Sequence, residues 1–241
     1  QDYKKLWNKE YIPDELKIYP TSIIENTILE KYYREGKYKP YTREELLTLF
    51  VNILPSTPRY CRLTRIVGDI PSNEIIDGNK STNFRQIAEK EIESLGKNIE
   101  DIRSREIKDE VARWEDLDLE VIEYETTVSK EYFISYKTKI TDRICSFLRL
   151  SLPKKDSFLD EIKGSAMIRE VHVYGSLVNI GENSSGESQH LGLGKKMIQI
   201  AEDIAKKENY LSLSVISEIG TREYYRKRGF KDEKLYMKKD L

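Results

Sequence analysis

The chain has 241 residues, 38% of them apolar and 34% charged, and the charges nearly cancel to a net −1. There is material for a core and little self-repulsion, which excludes a disordered chain, and the length suits one large domain or two small ones. Two cysteines, Cys61 and Cys145, and two histidines, His172 and His190, cannot supply the three or four soft ligands of a zinc finger or an iron–sulfur cluster, which excludes both within this chain. No run of about 18 apolar residues occurs. The N-terminal QDYKKLWNKEYIPDELKIYP also lacks the basic, apolar, small-residue order of a signal peptide. The expectation is a cytoplasmic protein with no membrane partner and two buried thiols. A near-zero net charge does not advertise nucleic-acid binding, so such a role has to rest on local clustering.

In chain order, residues 1–50 carry turn signals at Ile12-Pro13-Asp14, Tyr19-Pro20-Thr21 and Tyr38-Lys39-Pro40-Tyr41. Leu16 and Ile18 mark a short strand, and Ile23, Ile24, Leu29, Tyr32 and Tyr33 keep a helical spacing that ends at Gly36. Thr42 with Glu45 predicts a capping box that opens an apolar helix through Leu46, Leu47, Leu49, Phe50 and Ile53. Tyr60–Ile66 alternates as a strand. SNEIIDGNKSTN (72–83) has the polar chemistry of an exposed loop, and Phe84 to Leu95 reads as a helix stopped by Gly96.

From about residue 118 the pattern changes to strands. Leu119–Val128, Glu131–Lys139 and Ile144–Leu152 predict an antiparallel meander, and Val171–Ile180 a fourth strand. His172 and Tyr174 share one face of that strand, with Val171 and Val173 on the other. A loop, GENSSGES, leads to an amphipathic helix carrying Met197, Ile200, Ala201, Ile204 and Ala205 on one face. A strand (LSLSVIS), a helix (TREYYRKR) and a last strand complete an incomplete α/β half followed by an α+β half.

The segment with the most chemistry is Gln189-His190-Leu191-Gly192-Leu193-Gly194, between a strand with its loop and a helix N-terminus. Small residues there let a backbone approach a ligand, and the N–H groups and dipole of a first helical turn favour a phosphate. A dinucleotide fingerprint fails, because the third glycine position is Met197 and the preceding strands are a meander. Two glycines at an ordinary loop-to-helix turn remain the plain alternative for the motif taken alone.

The order meander, strand, Q-x-x-G-x-G, amphipathic helix, strand, then Tyr224-Tyr225-Arg226-Lys227-Arg228-Gly229-Phe230 resembles the GNAT acetyltransferase superfamily. The resemblance implies acetyl-coenzyme A held along Glu170, Val171, His172 and Val173. Its pyrophosphate would lie on Ser188, Gln189, His190, Leu191, Gly192, Leu193 and Gly194. Tyr225 would protonate the departing thiolate, with Tyr224 packed beside it and His172 assisting proton transfer near neutral pH. Glu170 would position a water or an amine.

A longer set of blocks, among them YREGKYKPY, RLTRIVGDIPSNEII, STNFRQIA, DIRSREI, REVHVYGSLV and GTREYYRKRGF, resembles the family of Elongator catalytic subunits and their archaeal relatives from about residue 11 to the end. That resemblance implies the C-terminal part of a radical S-adenosylmethionine partial barrel (1–92) followed by a GNAT domain (93–241). It also implies a role in carboxymethylating the wobble uridine of tRNA. The family's three cluster cysteines, which with S-adenosylmethionine supply the radical, have no counterpart in this chain, and Asn98–Ser104 stands where many members bind zinc, so zinc is not expected. The implied partners are tRNA, acetyl-coenzyme A, and other Elongator-like subunits or a second copy. Arg62, Arg65, Lys80, Arg85, Arg103 and Arg105, with Arg59, are the candidate phosphate contacts. In a regular strand Arg62 and Arg65 would face opposite ways. Two further readings stand beside this one: a protein lysine or small-amine N-acetyltransferase, and a non-catalytic tRNA-binding module.

Overall fold

Thr42 and Glu45 exchange side-chain-to-backbone hydrogen bonds and so start α3 (Arg43–Ile53) at the residue the sequence indicates. A computed structural model describes residues 1–68, 70–108, 110, 112–174 and 192–241. Before α3 come α1 (Asp2–Lys5), β1 (Glu15–Ile18), β2 (Ile23–Ile24) and α2 (Ile28–Arg34); after it come β3 (Arg62–Ile66), β4 (Ile75–Asp77) and α4 (Phe84–Ser94). β1 pairs in parallel with β3, and the helices bury Leu46, Phe50, Phe84, Ala88 and Ile92 against Leu63 and Ile66.

Three expectations change here. Ile23 and Ile24 belong to a strand, because Asn26 at φ 61° turns the chain and Thr27 caps the helix only from Ile28. Residues 72–83 are more than an exposed loop, since β4 pairs with β2 and both Ile75 and the following Asn79 are buried. β3 is also irregular. Leu63 sits opposite Leu16 and Arg65 opposite Lys17, so Thr64 is an extra residue that resets the alternation. Leu63 and Ile66 are therefore both buried, while Arg62 is half-buried and Arg65 exposed.

The chain divides into two compact units, Gln1–Ser104 and Arg105–Leu241, and the division falls beyond the expected 92–93 boundary. The reason is packing: Ile99 joins the first core, the Ile102 N–H donates to the Cys61 carbonyl at 3.0 Å, and the buried Asp101 carboxylate accepts from the Leu63 N–H at 3.0 Å.

In the second unit, β5 (Leu117–Glu125), β6 (Ser129–Thr138) and β7 (Ile144–Pro153) form the expected meander, followed by β8 (Ser165–Val173), α5 (Leu193–Lys207), β9 (Ser212–Val215), α6 (Arg222–Arg226), β10 (Lys231–Asp232) and β11 (Met237–Asp240). The strands make one seven-stranded sheet in the order β10-β11-β9-β8-β7-β6-β5, with β8 and β9 parallel and the other pairs antiparallel. α5 lays Met197, Ile198, Ala201 and Ala205 into the core that holds Leu148, Leu150, Ile168 and Leu213. β8 begins at Ser165, ahead of the expected Val171; positions 175–180 of the expected strand lie outside the described residues.

Candidate functional site

β8 has different neighbours along its length. Its parallel register with β9 runs from Ser165↔Ser212 to Ile168↔Val215, where β9 ends. On its other side β8 stays paired with β7 as far as Ser146↔Val173, with Arg149 opposite Glu170 and Phe147 opposite His172. The register shifts between Arg149 and Leu150, which leaves Arg169 as a bulge where β9 stops. Bulges bend and twist a strand. Among the described strands none lies beside Glu170–Val173 on the β9 side.

The first turn of α5 meets this edge. Gly192, the N-cap, is left-handed at φ 66° and has no side-chain cap bond, a conformation that suits glycine. A Cβ at Gly194 would collide with the Tyr224 hydroxyl and lie 3.6 Å from Val173 Cγ2, so the end of β8, the start of α5 and α6 converge on one small residue. That turn holds Lys195 and Lys196 and no acid, the reverse of what a helix dipole favours. Ser188, Gln189, His190 and Leu191 lie outside the described residues.

Tyr224 is half-buried, with the Arg228 guanidinium 3.3 Å over its ring. Tyr225 is only 7% exposed and packs edge-on against Tyr224 and Phe230. Burial, with Tyr224 adding, pushes the Tyr225 phenol up to about 12, and burial raises Tyr224 as well. Val171 and Val173 pack on the main core, whereas His172 lies on the other face, stacked on Phe147 with ring centroids 5.6 Å apart and 44% of its side chain exposed. His172 Nδ1 is 3.8 Å from Glu170 Oε1, and Glu170 Oε2 accepts from Arg149 Nε at 2.9 Å. Arg149 is the residue missed from the sequence, although an arginine inside the apolar run ICSFLRLSL is a visible signal.

The first unit gathers part of the basic set. Arg65, Arg85 and Arg103 line a concavity of about 400 Å³ with Thr64, Thr82, Asn83 and Gln86, and exposed Lys80 borders the neighbouring hollow, which shares Val67, Gly68 and Thr82. Arg85 is committed to structure: it donates to Glu89, the Leu63 carbonyl, Asp101 and Ser104. Arg59 faces Glu100 at 3.5 Å. Arg105 belongs to the second unit, where it is 5% exposed and paired with Glu120 and Asp142. Arg65, Lys80 and Arg103 are the exposed members.

The donor set does not fit an iron–sulfur cluster, because Cys61 and Cys145 are buried in separate units. No helix of the described residues is long and apolar enough to cross a membrane.

Residues 13–94 match the family model of the radical SAM C-terminal domain. Elongator complex protein 3 of Danio rerio is 36% identical over 97% of this chain. The chain belongs to the Elongator protein 3 family. Another family relative, the tRNA uridine(34) acetyltransferase of Methanocaldococcus jannaschii, is also 36% identical over 97% of the chain. The chain spans about half the length of these relatives, 44% and 45% respectively. The solved structure of the archaeal Elongator protein 3 of Methanocaldococcus infernus with an N-terminal deletion superposes at a TM-score of 0.89 and 34% identity, covering 99% of this chain and 58% of that one.

Proposed function

We propose that this chain is the acetyl-coenzyme A- and tRNA-binding portion of an enzyme that carboxymethylates wobble uridine, and that it hydrolyses the thioester when tRNA is bound. The meeting of β8, α5 and α6 at Gly194, beside the stretch Glu170–Val173 that has no described strand on its β9 side, carries this reading, because an extended acyl arm laid along that stretch would end at a basic helix N-terminus. We assign the second unit to the GNAT type, since its parallel β8–α5–β9 step on an antiparallel meander has the order of that superfamily. The names of the relatives support the wobble-uridine substrate and an acyltransferase. Loaded with acetyl-coenzyme A, the site would offer an activated acetyl group.

In this reading Glu170–Val173 line the acyl arm, Ser188–Gly194 hold the pyrophosphate, and Tyr225 gives a proton to the departing sulfur. A phenol held at about 12 stays protonated at neutral pH and serves as a donor. Arg65, Lys80 and Arg103 contact RNA phosphates, and a wobble base, already unpaired, enters a pocket without the cost of opening a duplex. The radical step belongs to the intact protein, which would carry S-adenosylmethionine and the cluster. Calorimetry with acetyl-coenzyme A and release of free coenzyme A with and without tRNA test the proposal; absence of both binding and release defeats it. Rapid stoichiometric acetylation of peptides or polyamines would instead favour an N-acetyltransferase.

A further inference from the structure

Arg149 is 1% exposed and sits against the paired rings of Phe133 and Phe147, its Cζ 5.4 and 5.5 Å from their centroids. A buried ion pair is a weak source of stability, and an apolar side chain of similar volume often replaces one without loss. The pair therefore calls for another reason, and register supplies one. Arg149 sits opposite Glu170 and Phe147 opposite His172, so guanidinium, carboxylate and imidazole form a row across β7 and β8.

We propose that Arg149 is a positioning residue for the acid–base chemistry of this site: by holding Glu170 Oε2 it aims Oε1 at His172 Nδ1, leaving His172 Nε2 as the free base. The stack on Phe147 fixes the plane of the imidazole, and the Tyr174 ring, 5.0 Å away, flanks it. The inference rests on the acyl-coenzyme A reading for its consequence. In hydrolysis a water oxygen bonds to the acyl carbon as the carbon–sulfur bond breaks. One water proton goes to His172 Nε2, the sulfur takes the Tyr225 proton, and His172 returns its proton through solvent to Tyr225. The net products are acetic acid and the free thiol.

The test uses the full chain. With only two histidines, ¹⁵N imidazole spectra are simple, and His172→Gln assigns the signal. In the parent the neutral His172 is the Nδ1–H tautomer; in Arg149→Met the Nε2–H form predominates, and Arg149→Lys restores part of the parent ratio. Arg149→Met also lowers the kcat of tRNA-stimulated hydrolysis about 100-fold with the KM for acetyl-coenzyme A unchanged. A folded Arg149→Met with the parent tautomer ratio overturns the proposal. Should that variant not fold, Glu170→Gln must show the same tautomer change, and an unchanged ratio there overturns it equally. If the parent neither binds nor hydrolyses acetyl-coenzyme A, the functional reading fails, while the tautomer measurement still decides the role of Arg149.

Discussion

At position 194 even a methyl group would meet the Tyr224 hydroxyl. Gly194→Ala must then displace the Tyr224 side chain or the first turn of α5, with an expected stability loss of about 1–3 kcal/mol in urea unfolding. Its affinity for acetyl-coenzyme A should fall further than that loss explains. Tyr225→Phe leaves the packing against Phe230 intact, so stability should hold while thioester turnover drops by about 100-fold or more; unchanged turnover would remove Tyr225 from the chemistry. Burial pushes the Cys145 thiol up to about 12, so it should resist a thiol reagent in the folded protein at pH about 8, where a free cysteine is partly ionised, and react once the chain is unfolded. The glycines and the tyrosine pair were legible in sequence because each stands in a short local pattern. Arg149 was not, because its meaning depends on which residue lies opposite it on β8.

At the scale of elements, caps and meander strands followed from local chemistry, whereas the β2–β4 pairing and the bulge at Thr64 depend on partners far along the chain. Thr42→Ala should cost about 1 kcal/mol through loss of the α3 cap. The Thr42 backbone N–H holds the Glu45 carboxyl below its ordinary range. Its contribution is thus present above the unfolded value and lost as pH falls through the lowered one. The stability gap between the parent and Glu45→Gln should accordingly be present at neutral pH and close on acidification, as thermal unfolding across that range would show; a gap that widened in acid would contradict the cap's role. The short spacing of Arg62 and Arg65 was misleading for the same reason as the strand itself: one extra residue changes which side chains share a face.

For the whole molecule, a net charge of −1 hides the local surface of Arg65, Lys80 and Arg103, which an unaided count of basic residues would have diluted with the committed Arg85 and Arg105. If these exposed residues grip RNA phosphates, Arg65→Gln and Arg103→Gln should each weaken tRNA binding and reduce the slope of log affinity against log salt by about 0.7–0.9, whereas an unchanged slope would place the RNA elsewhere. The division at Ser104 separates that surface from the Gly194 site by unit, so the proposed function requires both in one chain. The most direct measurement is the release of free coenzyme A from acetyl-coenzyme A by the purified chain, with and without a tRNA carrying a wobble uridine. Release that depends on the tRNA and is abolished in Gly194→Ala is the expected result; no release with tRNA, together with no binding of acetyl-coenzyme A, would contradict the account.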